Sequence, residues 1–279
     1  MQGKVVVITG ATSGIGQVAA ERLAAMGARM VLVARNKLRG EAALARLRKC
    51  SPAAHSIHYA DLSQLGEMKR VAAEIAAVEP RIDVLINNAG ALFNSREVTA
   101  DGLETTLATN HLAYFVLTHG LEARLRAAAP ARVVNTASHA HYGARIDFDD
   151  LQSARRYRGF AAYSRSKLYN ILYTRELARR VRGTGVTANA LHPGFVASRF
   201  GDRSGGIASF ALRIAKLFAI SPEKGAQTIV YLAAAPEVAG ISGEYFYQSR
   251  PATPSATARD DTAARRLWAE TARLAGIDT

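Results

Sequence analysis

The sequence predicts an α/β fold, a three-layer α/β/α sandwich whose central sheet has seven parallel strands. Three observations predict it. Apolar, β-branched runs alternate with helical patterns along the whole chain. Those runs are rich in Val and Ile and lack in/out alternation, as strands covered on both faces must. The 279 residues carry no internal repeat, low-complexity block or interdomain linker, so residues 1–279 are expected to form one domain with an ample core.

The elements follow in order. "KVVVIT", Lys4 to Thr9, reads as a buried strand, and "GQVAAERLAAMG", Gly16 to Gly27, as a helix with a Gly stop. "RMVLVA" is the second strand, "LRGEAALARLRK" the second helix, "SIHY" a short third strand and "QLGEMKRVAAEIAAVE" the third helix. "IDVLIN", Ile82 to Asn87, is strand four. A long helix is expected from about Asp101 to Ala127, then strand five in "ARVVNTA", a second long helix from Phe160 to Gly183, and strand six in "GVTANAL". "GEYF" reads as a short last strand, "RPATPSATARDD" as a loop and "AARRLWAETARLAG" as a closing amphipathic helix. The segment "FVASRFGDRSGGIASFALRIAKLFAI" breaks this rhythm; about 195–220 reads as a substrate flap.

Composition narrows the function classes. Hydrophobic residues make up 49% and charged residues 21%, ordinary values for a globular protein. No apolar run is long enough to span a membrane, and strand one starts almost at the first residue, leaving no room for a targeting peptide; a cytoplasmic location is expected. The formal charge of +13 comes from 36 Lys and Arg against 23 Asp and Glu. These cations are spread over helical stretches such as "RELARRVRG", with no dense basic block, so they read as solvated helix faces and not as a nucleic-acid site. Their summed field would attract an anionic cofactor. The single cysteine, Cys50, excludes an intrachain disulfide and reads as a passive helix-end residue.

The first strand runs into "TGATSGIG", Thr9 to Gly16. Gly10, Gly14 and Gly16, interleaved with Thr12, Ser13 and Ile15, allow a tight turn that brings backbone close to a pyrophosphate, while the following helix aims its leading amides at that charge. An acid closing the second strand would bond ribose hydroxyls and favour NAD(H). This chain has "VARNK", with Arg35 there and Lys37 close behind. A guanidinium suits a 2′-phosphate, so NADP(H) is expected over NAD(H).

In "AYSRSKLYN", Tyr163 precedes Lys167 by four residues, which places both on one helix face. A phenol with a free pKa of about 10 is a poor proton shuttle at neutral pH. A neighbouring ammonium favours the phenolate and supplies part of the shift that proton transfer needs.

Taken with the glycine loop, this pair resembles the short-chain dehydrogenase/reductase family, in its retinol-dehydrogenase-like branch. The resemblance rests on "TGATSGIG", "NNAG" (Asn87 to Gly90), Asn110 in "ATNHLAYF", Ser138 in "VVNTASHAH", "YSRSK" and "HPG" (His192 to Gly194), in the family's order across nearly the whole chain. The branch shows in "SKLYNILYTRELARRVRGTGVTANALHPG" and "SPEKGAQTIVYLAAAPEVAGISGEYF". The resemblance implies a Rossmann-like sandwich and the following roles. Tyr163 is the acid/base. Lys167 bonds the nicotinamide ribose and tunes Tyr163. Ser138 bonds the substrate oxygen, and Asn110 supports a relay water through its helix backbone. Asn87, Asn88, Ala89 and Gly90 floor the adenosine and ribose, and Asp61 with Leu62 borders the adenine. Pro193, Gly194 and Val196 shape the nicotinamide pocket. Where the family usually places a threonine for the carboxamide, this chain has Ser198 after Ala197.

The expected activity is hydride transfer between nicotinamide and a carbonyl or alcohol carbon of a small, lipophilic substrate. Two other readings stay open on the same residues: reduction of a conjugated double bond, and a non-catalytic NADP sensor, against which the intact Ser138, Tyr163 and Lys167 set argues. His55 with His58, and His139 with His141, form close pairs without a third ligand, so no metal site is read there. Trp268 reads as core packing. "FALRIAKLF" has an apolar face that could touch a membrane but reads better as a lid or oligomer contact, and the leading hydrophobic segment of anchored members of the branch is not expected here. The two long helices offer faces for a homo-oligomer, dimer or tetramer.

Overall fold

The computed structural model of the protein describes residues 1–194 and 220–278. The expected flap, and with it Val196 and Ser198, lies outside the described residues.

Strands β1 (Val5–Thr9), β2 (Arg29–Ala34), β3 (Ser56–Tyr59), β4 (Val84–Asn87), β5 (Ala131–Thr136), β6 (Val186–Leu191), β7 (Tyr245–Tyr247) and β8 (Arg250–Pro251) form one sheet in the order β3-β2-β1-β4-β5-β6-β7-β8. All pairings through β7 are parallel. The direction of winding reverses between β1 and β4, which opens a crevice at the carboxyl ends of those strands.

The helices are α1 (Gly14–Ala25), α2 (Lys37–Cys50), α3 (Leu65–Val78), the short α4 (Thr105–Leu107), α5 (Ala113–Ala128), α6 (Gly159–Arg180), α7 (Pro222–Ala234) and α8 (Asp261–Ala275). They cover both sheet faces, which explains the unbroken apolar strands. In β1, Val5 and Val7 enter the core beneath α3, α5, α6 and α8, while Val6 and Ile8 enter the core beneath α1, α2 and α7. Every residue of β1 is therefore buried.

The sequence reading needs three corrections. The sheet has eight strands, not seven: β8 folds back antiparallel on β7. Gln248 and Ser249, both at positive φ (49° and 59°), make a two-residue turn of the type usually written with Asn and Gly, so the hairpin was not visible in residue types. Secondly, residues Asp101 to Glu104 are not helical. Val98 pairs with Glu104 in an antiparallel bridge, and the Glu104 carboxylate caps α4 by accepting from the amides of Thr106 (2.6 Å) and Leu107 (2.8 Å). A π-helical turn, Ala108–Leu112, then joins α4 to α5. Thirdly, α7 was not read as an element, although Ser221 accepts from Lys224 N and Pro222 opens the helix, a sequence-level start signal.

Helix α8 lies across α6 and α5 and places Leu267, Trp268 and Ala272 in their core. The Trp268 ring sits 4.9 Å from Phe115, edge on, and 5.7 Å from Tyr173, stacked. The C-terminal helix thus covers apolar surface of the two long helices. Asp260 caps α8 at its start and Gly276, at φ 57°, ends it.

Candidate active site

The crevice begins at the glycine loop. After Thr9 the chain turns at Gly10, φ 70°, and enters α1 at Gly14, φ 58°. These values suit glycine. The loop is pinned to the end of β4. The Thr9 hydroxyl accepts from the amides of Asn88 (3.0 Å) and Ala89 (2.9 Å), and Asn88 Nδ2 donates to the carbonyls of Thr9 (3.1 Å) and Gly10 (3.3 Å). A Cβ on Gly10 would lie 2.9 Å from Ala89 Cα, and one on Gly16 would run into the Gly10 carbonyl. Ser13 precedes α1 in extended conformation without capping it through its side chain, so the leading amides, between half-buried Thr12 and Ile15, face the crevice mouth. A pyrophosphate fits this cradle.

At the end of β2, Arg35 is exposed, and its guanidinium comes within 3.9 Å of the Asp61 carboxylate at the end of β3. An exposed pair of this kind is weak and leaves the guanidinium available to an anion. Asn36 caps α2 by accepting from Arg39 N at 2.9 Å, which fixes the turn carrying Arg35 and Lys37. Asp61 accepts from Ser63 N (3.0 Å) and Ser63 Oγ (2.8 Å). Two residues expected around the adenosine have other partners. The Leu62 side chain is buried in the core. Fully buried Asn87 donates to Thr118 Oγ1 (3.1 Å) and Asn135 Oδ1 (2.9 Å), joining β4 to α5 and β5.

The proton-active groups meet beyond β5. Ser138 stands at the start of a 3-10 turn, His139–Gly143, where its Oγ accepts from Ala140 N at 3.2 Å. It faces Tyr163, near the start of α6, where it favours the phenolate. One turn on, buried Lys167 donates to the Thr136 carbonyl at 3.1 Å and lies over two rings, 5.6 Å from the centre of Tyr163 and 5.7 Å from that of Tyr114. Gly90 leaves room for this ammonium, since a Cβ there would sit 3.2 Å from Lys167 Nζ and 3.4 Å from Asn110 Oδ1.

Burial sets the electrostatics of this pair. It pushes the Tyr163 phenol up to about 12, with the Ser138 hydrogen bond opposing, and pushes Lys167 down to about 7. The sequence reading expected the ammonium to draw the phenol down. In the protein without dinucleotide, burial raises the phenol and holds it in its proton-bearing form.

Asn110 occupies the π-helical turn. Its Oδ1 accepts from Ala91 N and its Nδ2 donates to the Ala91 carbonyl, both at 2.8 Å, and Nδ2 also reaches Ser166 Oγ at 3.1 Å. The side chain therefore clamps the loop after Gly90, and its carbonyl accepts from Asn170 Nδ2 at 2.9 Å. After β6, Pro193 leads to Gly194, at φ 87°, whose amide donates to His192 Nδ1 at 3.2 Å.

Several groups near the site were given no role there in the sequence reading. Thr9 and the Thr136 carbonyl anchor the loop and the ammonium. His192 stacks on Tyr247 at 4.0 Å and lies 5.6 Å from His139. His141, within 2.7 Å of the Ser138 carbonyl through Nδ1, accepts from Ser255 N at 3.1 Å through Nε2. His55 accepts from Met30 N at 3.1 Å, and His58 lies 3.5 Å from the Glu74 carboxylate. Among the described residues no group of three or more His, Cys, Asp or Glu is placed to hold a metal ion. The sequence signals available for the missed residues were adjacency to Ser138 for the imidazoles and position at the last strand residue for Thr9.

A serine hydroxyl and a phenol brought together beside one buried lysine can grip a single oxygen atom, with the phenol as proton donor. The sequence profile of the short chain dehydrogenase family matches residues 4–205. Retinol dehydrogenase 13 of Homo sapiens is 42% identical, over 99% of this chain and 86% of its own length. Retinol dehydrogenase 12 of Homo sapiens is 43% identical, over 99% and 88%. A crystal structure of a Mycobacterium paratuberculosis protein superposes with a TM-score of 0.79 at 32% identity, covering 99% of this chain and 95% of that one. A short chain dehydrogenase from Burkholderia cenocepacia J2315 in complex with NADP superposes with a TM-score of 0.71 at 25% identity, covering 88% and 96%.

Proposed function

The chain belongs to the short chain dehydrogenase family, and from that premise we propose that it is an NADP(H)-dependent oxidoreductase acting on a carbonyl or alcohol group of a lipophilic, retinoid-like substrate. The whole chain acts as one catalytic domain. The observation that carries this reading is the placing of buried Lys167 5.6 Å from the centre of the Tyr163 ring, with Ser138 beside that phenol, at the carboxyl edge of the sheet beside the glycine loop.

The loop from Gly10 to Gly16 and the leading amides of α1 would hold the pyrophosphate, Arg35 and Lys37 the 2′-phosphate, and Lys167 the nicotinamide ribose. Asn88, Ala89 and Gly90 would line the ribose side, and Pro193 and Gly194 the nicotinamide side. When bound, the dinucleotide supplies or accepts the hydride and, in its oxidised form, adds a positive charge near the phenol. Ser138 donates to the substrate oxygen and orients it. Tyr163, held in its protonated form by burial, gives its proton to that oxygen as the carbon takes the hydride, so carbonyl, hydride and proton sum to an alcohol. The phenolate left behind is stabilised by the Ser138 hydroxyl and the Lys167 ammonium. Alcohol oxidation runs the same steps backwards and needs the phenolate first, which burial disfavours.

Bound NADP in the Burkholderia cenocepacia relative, Arg35 at the end of β2, and the retinol dehydrogenase relatives support the finer points. Phe160, 66% exposed and 6.4 Å from the Tyr163 ring, and exposed Tyr142 beside His139 and His141 supply apolar surface next to the reacting groups. A panel of aldehydes, ketones, enones and retinal, each read with NADPH and NADH by nicotinamide absorbance, tests the reading. It predicts carbonyl reduction with NADPH preferred. Binding of NADPH with no turnover on any member would contradict it, and reduction of C=C alone would move the chain to the conjugated-bond reaction.

A further inference from the structure

Behind Lys167 a line of buried polar groups runs to the C-terminal helix. Asn170 lies one turn beyond Lys167 on α6. Its Nδ2 donates to the Asn110 carbonyl at 2.9 Å and makes a longer contact, 3.4 Å, with the Thr136 carbonyl that holds Lys167. With Nδ2 so committed, Asn170 Oδ1 must accept, and its partner is His111 Nδ1 at 3.1 Å. His111 Nε2 is 2.9 Å from Thr271 Oγ1 on α8. A neutral imidazole that donates through Nδ1 can only accept through Nε2, so the Thr271 hydroxyl is the donor. The hydrogen bonds then all point one way: Thr271 to His111, His111 to Asn170, Asn170 to the Asn110 carbonyl.

The groups are enclosed. Asn110 and Asn170 have no exposed surface, and His111 and Thr271 are 1% and 2% exposed. The edges of Tyr169 and Tyr173 frame the imidazole at 5.5 and 6.1 Å. In such surroundings consecutive bonds polarise one another, and losing any one leaves a buried polar group without its partner. The Asn110 side chain is already committed to Ala91 and Ser166, so what this residue offers the crevice is its carbonyl, one lone pair of which Asn170 occupies.

We propose that Thr271, His111 and Asn170 are positioning residues. Their one-way chain aims the Asn110 carbonyl and steadies the Thr136 carbonyl, and so places Lys167 behind Tyr163. Helix α8, far from the crevice in sequence, is thereby part of the proton-handling apparatus and not only a cover for α5 and α6. This rests on the carbonyl-reducing function proposed above. The neutral state the chain requires agrees with the burial that holds His111 down to about 4.

Thr271→Val keeps shape and removes the first donor; Thr271→Ser keeps the donor. The chain predicts that Thr271→Val lowers kcat about five-fold, the size expected for one hydrogen bond, with KM for NADPH and for the carbonyl within about two-fold. Thr271→Ser should recover kcat to within about two-fold of the parent. A Thr271→Val protein with reduced melting temperature but unchanged kcat would overturn the proposal, because a merely structural contact behaves that way. Nitrogen NMR of the His111 imidazole in the parent protein reads the same chain without turnover. The Nδ1–H tautomer is expected, and an Nε2–H or doubly protonated ring at neutral pH overturns the proposal even if no substrate is ever turned over.

Discussion

The Lys167 ammonium lies 5.6 Å from the centre of the Tyr163 ring while it donates to the Thr136 carbonyl. Lys167 is buried and Tyr163 half-buried, and desolvation pushes each towards its neutral form, Tyr163 to about 12 and Lys167 to about 7. The pair is disfavoured in its charged states.

Lys167 is therefore expected to cost stability while it serves chemistry. Its buried charge is disfavoured, so Lys167→Met should melt no lower than the parent in the absence of dinucleotide. The same variant should lose at least about 100-fold in kcat/KM, the range of a lost acid–base partner. A large fall in melting temperature would show that the lysine instead holds the fold.

Arg35 should set dinucleotide choice. It is exposed and only loosely engaged by Asp61 at 3.9 Å. Replacing it with aspartate removes a guanidinium and adds a carboxylate opposite a 2′-phosphate. The NADPH-to-NADH ratio of kcat/KM should fall at least about ten-fold, equivalent to about 1.4 kcal/mol. An unchanged ratio would remove Arg35 from the cofactor site.

Acid should destabilise the protein partly through His111. Burial lowers it to about 4 from 6.5, so between those values the unfolded chain binds a proton that the folded protein does not. The stability this group contributes is complete above pH 6.5 and is lost as pH falls towards 4. The loss reaches roughly 3 kcal/mol for a shift of this size. His192, also lowered to about 4 by burial, adds in the same direction. Melting temperature followed from neutral to acid pH should fall less steeply in His111→Gln than in the parent, and parallel curves would contradict this.

Trp268 should carry much of the anchoring of α8. It is 8% exposed, sits between Phe115 and Tyr173, and has the Arg180 guanidinium 4.4 Å over its ring. Trp268→Ala should cost about 3–5 kcal/mol by chemical denaturation. Its indole nitrogen has no hydrogen-bond partner, so Trp268→Phe should cost less than about 1.5 kcal/mol. Equal losses would mean that ring volume is not what holds the helix.

Much of this was readable from residue types. Val5 to Thr9 could only be a doubly covered strand, and the glycines after it could only be a tight turn into a helix. Tyr163 and Lys167 announce a shared helix face by spacing alone. The unread parts lack a local signal. Gln248 and Ser249 adopt positive φ without being Asn or Gly. The bridge between Val98 and Glu104 replaced a helix start that composition allowed. Asn87 looked like a crevice residue because it closes β4, yet its side chain is drawn into the buried contacts with Thr118 and Asn135. The covering of α5 and α6 by α8 is a contact between segments about a hundred residues apart, which no local pattern encodes. The burial that raises the Tyr163 phenol in the protein without dinucleotide is likewise a property of the fold.

The most direct test of the account is the turnover of Tyr163→Phe on whichever carbonyl the parent reduces, measured beside its affinity for NADPH. The phenyl ring keeps the packing and loses only the proton. The account predicts that kcat falls by about 10²–10⁴ while NADPH binds within about three-fold of the parent. A variant that keeps most of its kcat would place the proton donor elsewhere and contradict the assignment of Tyr163.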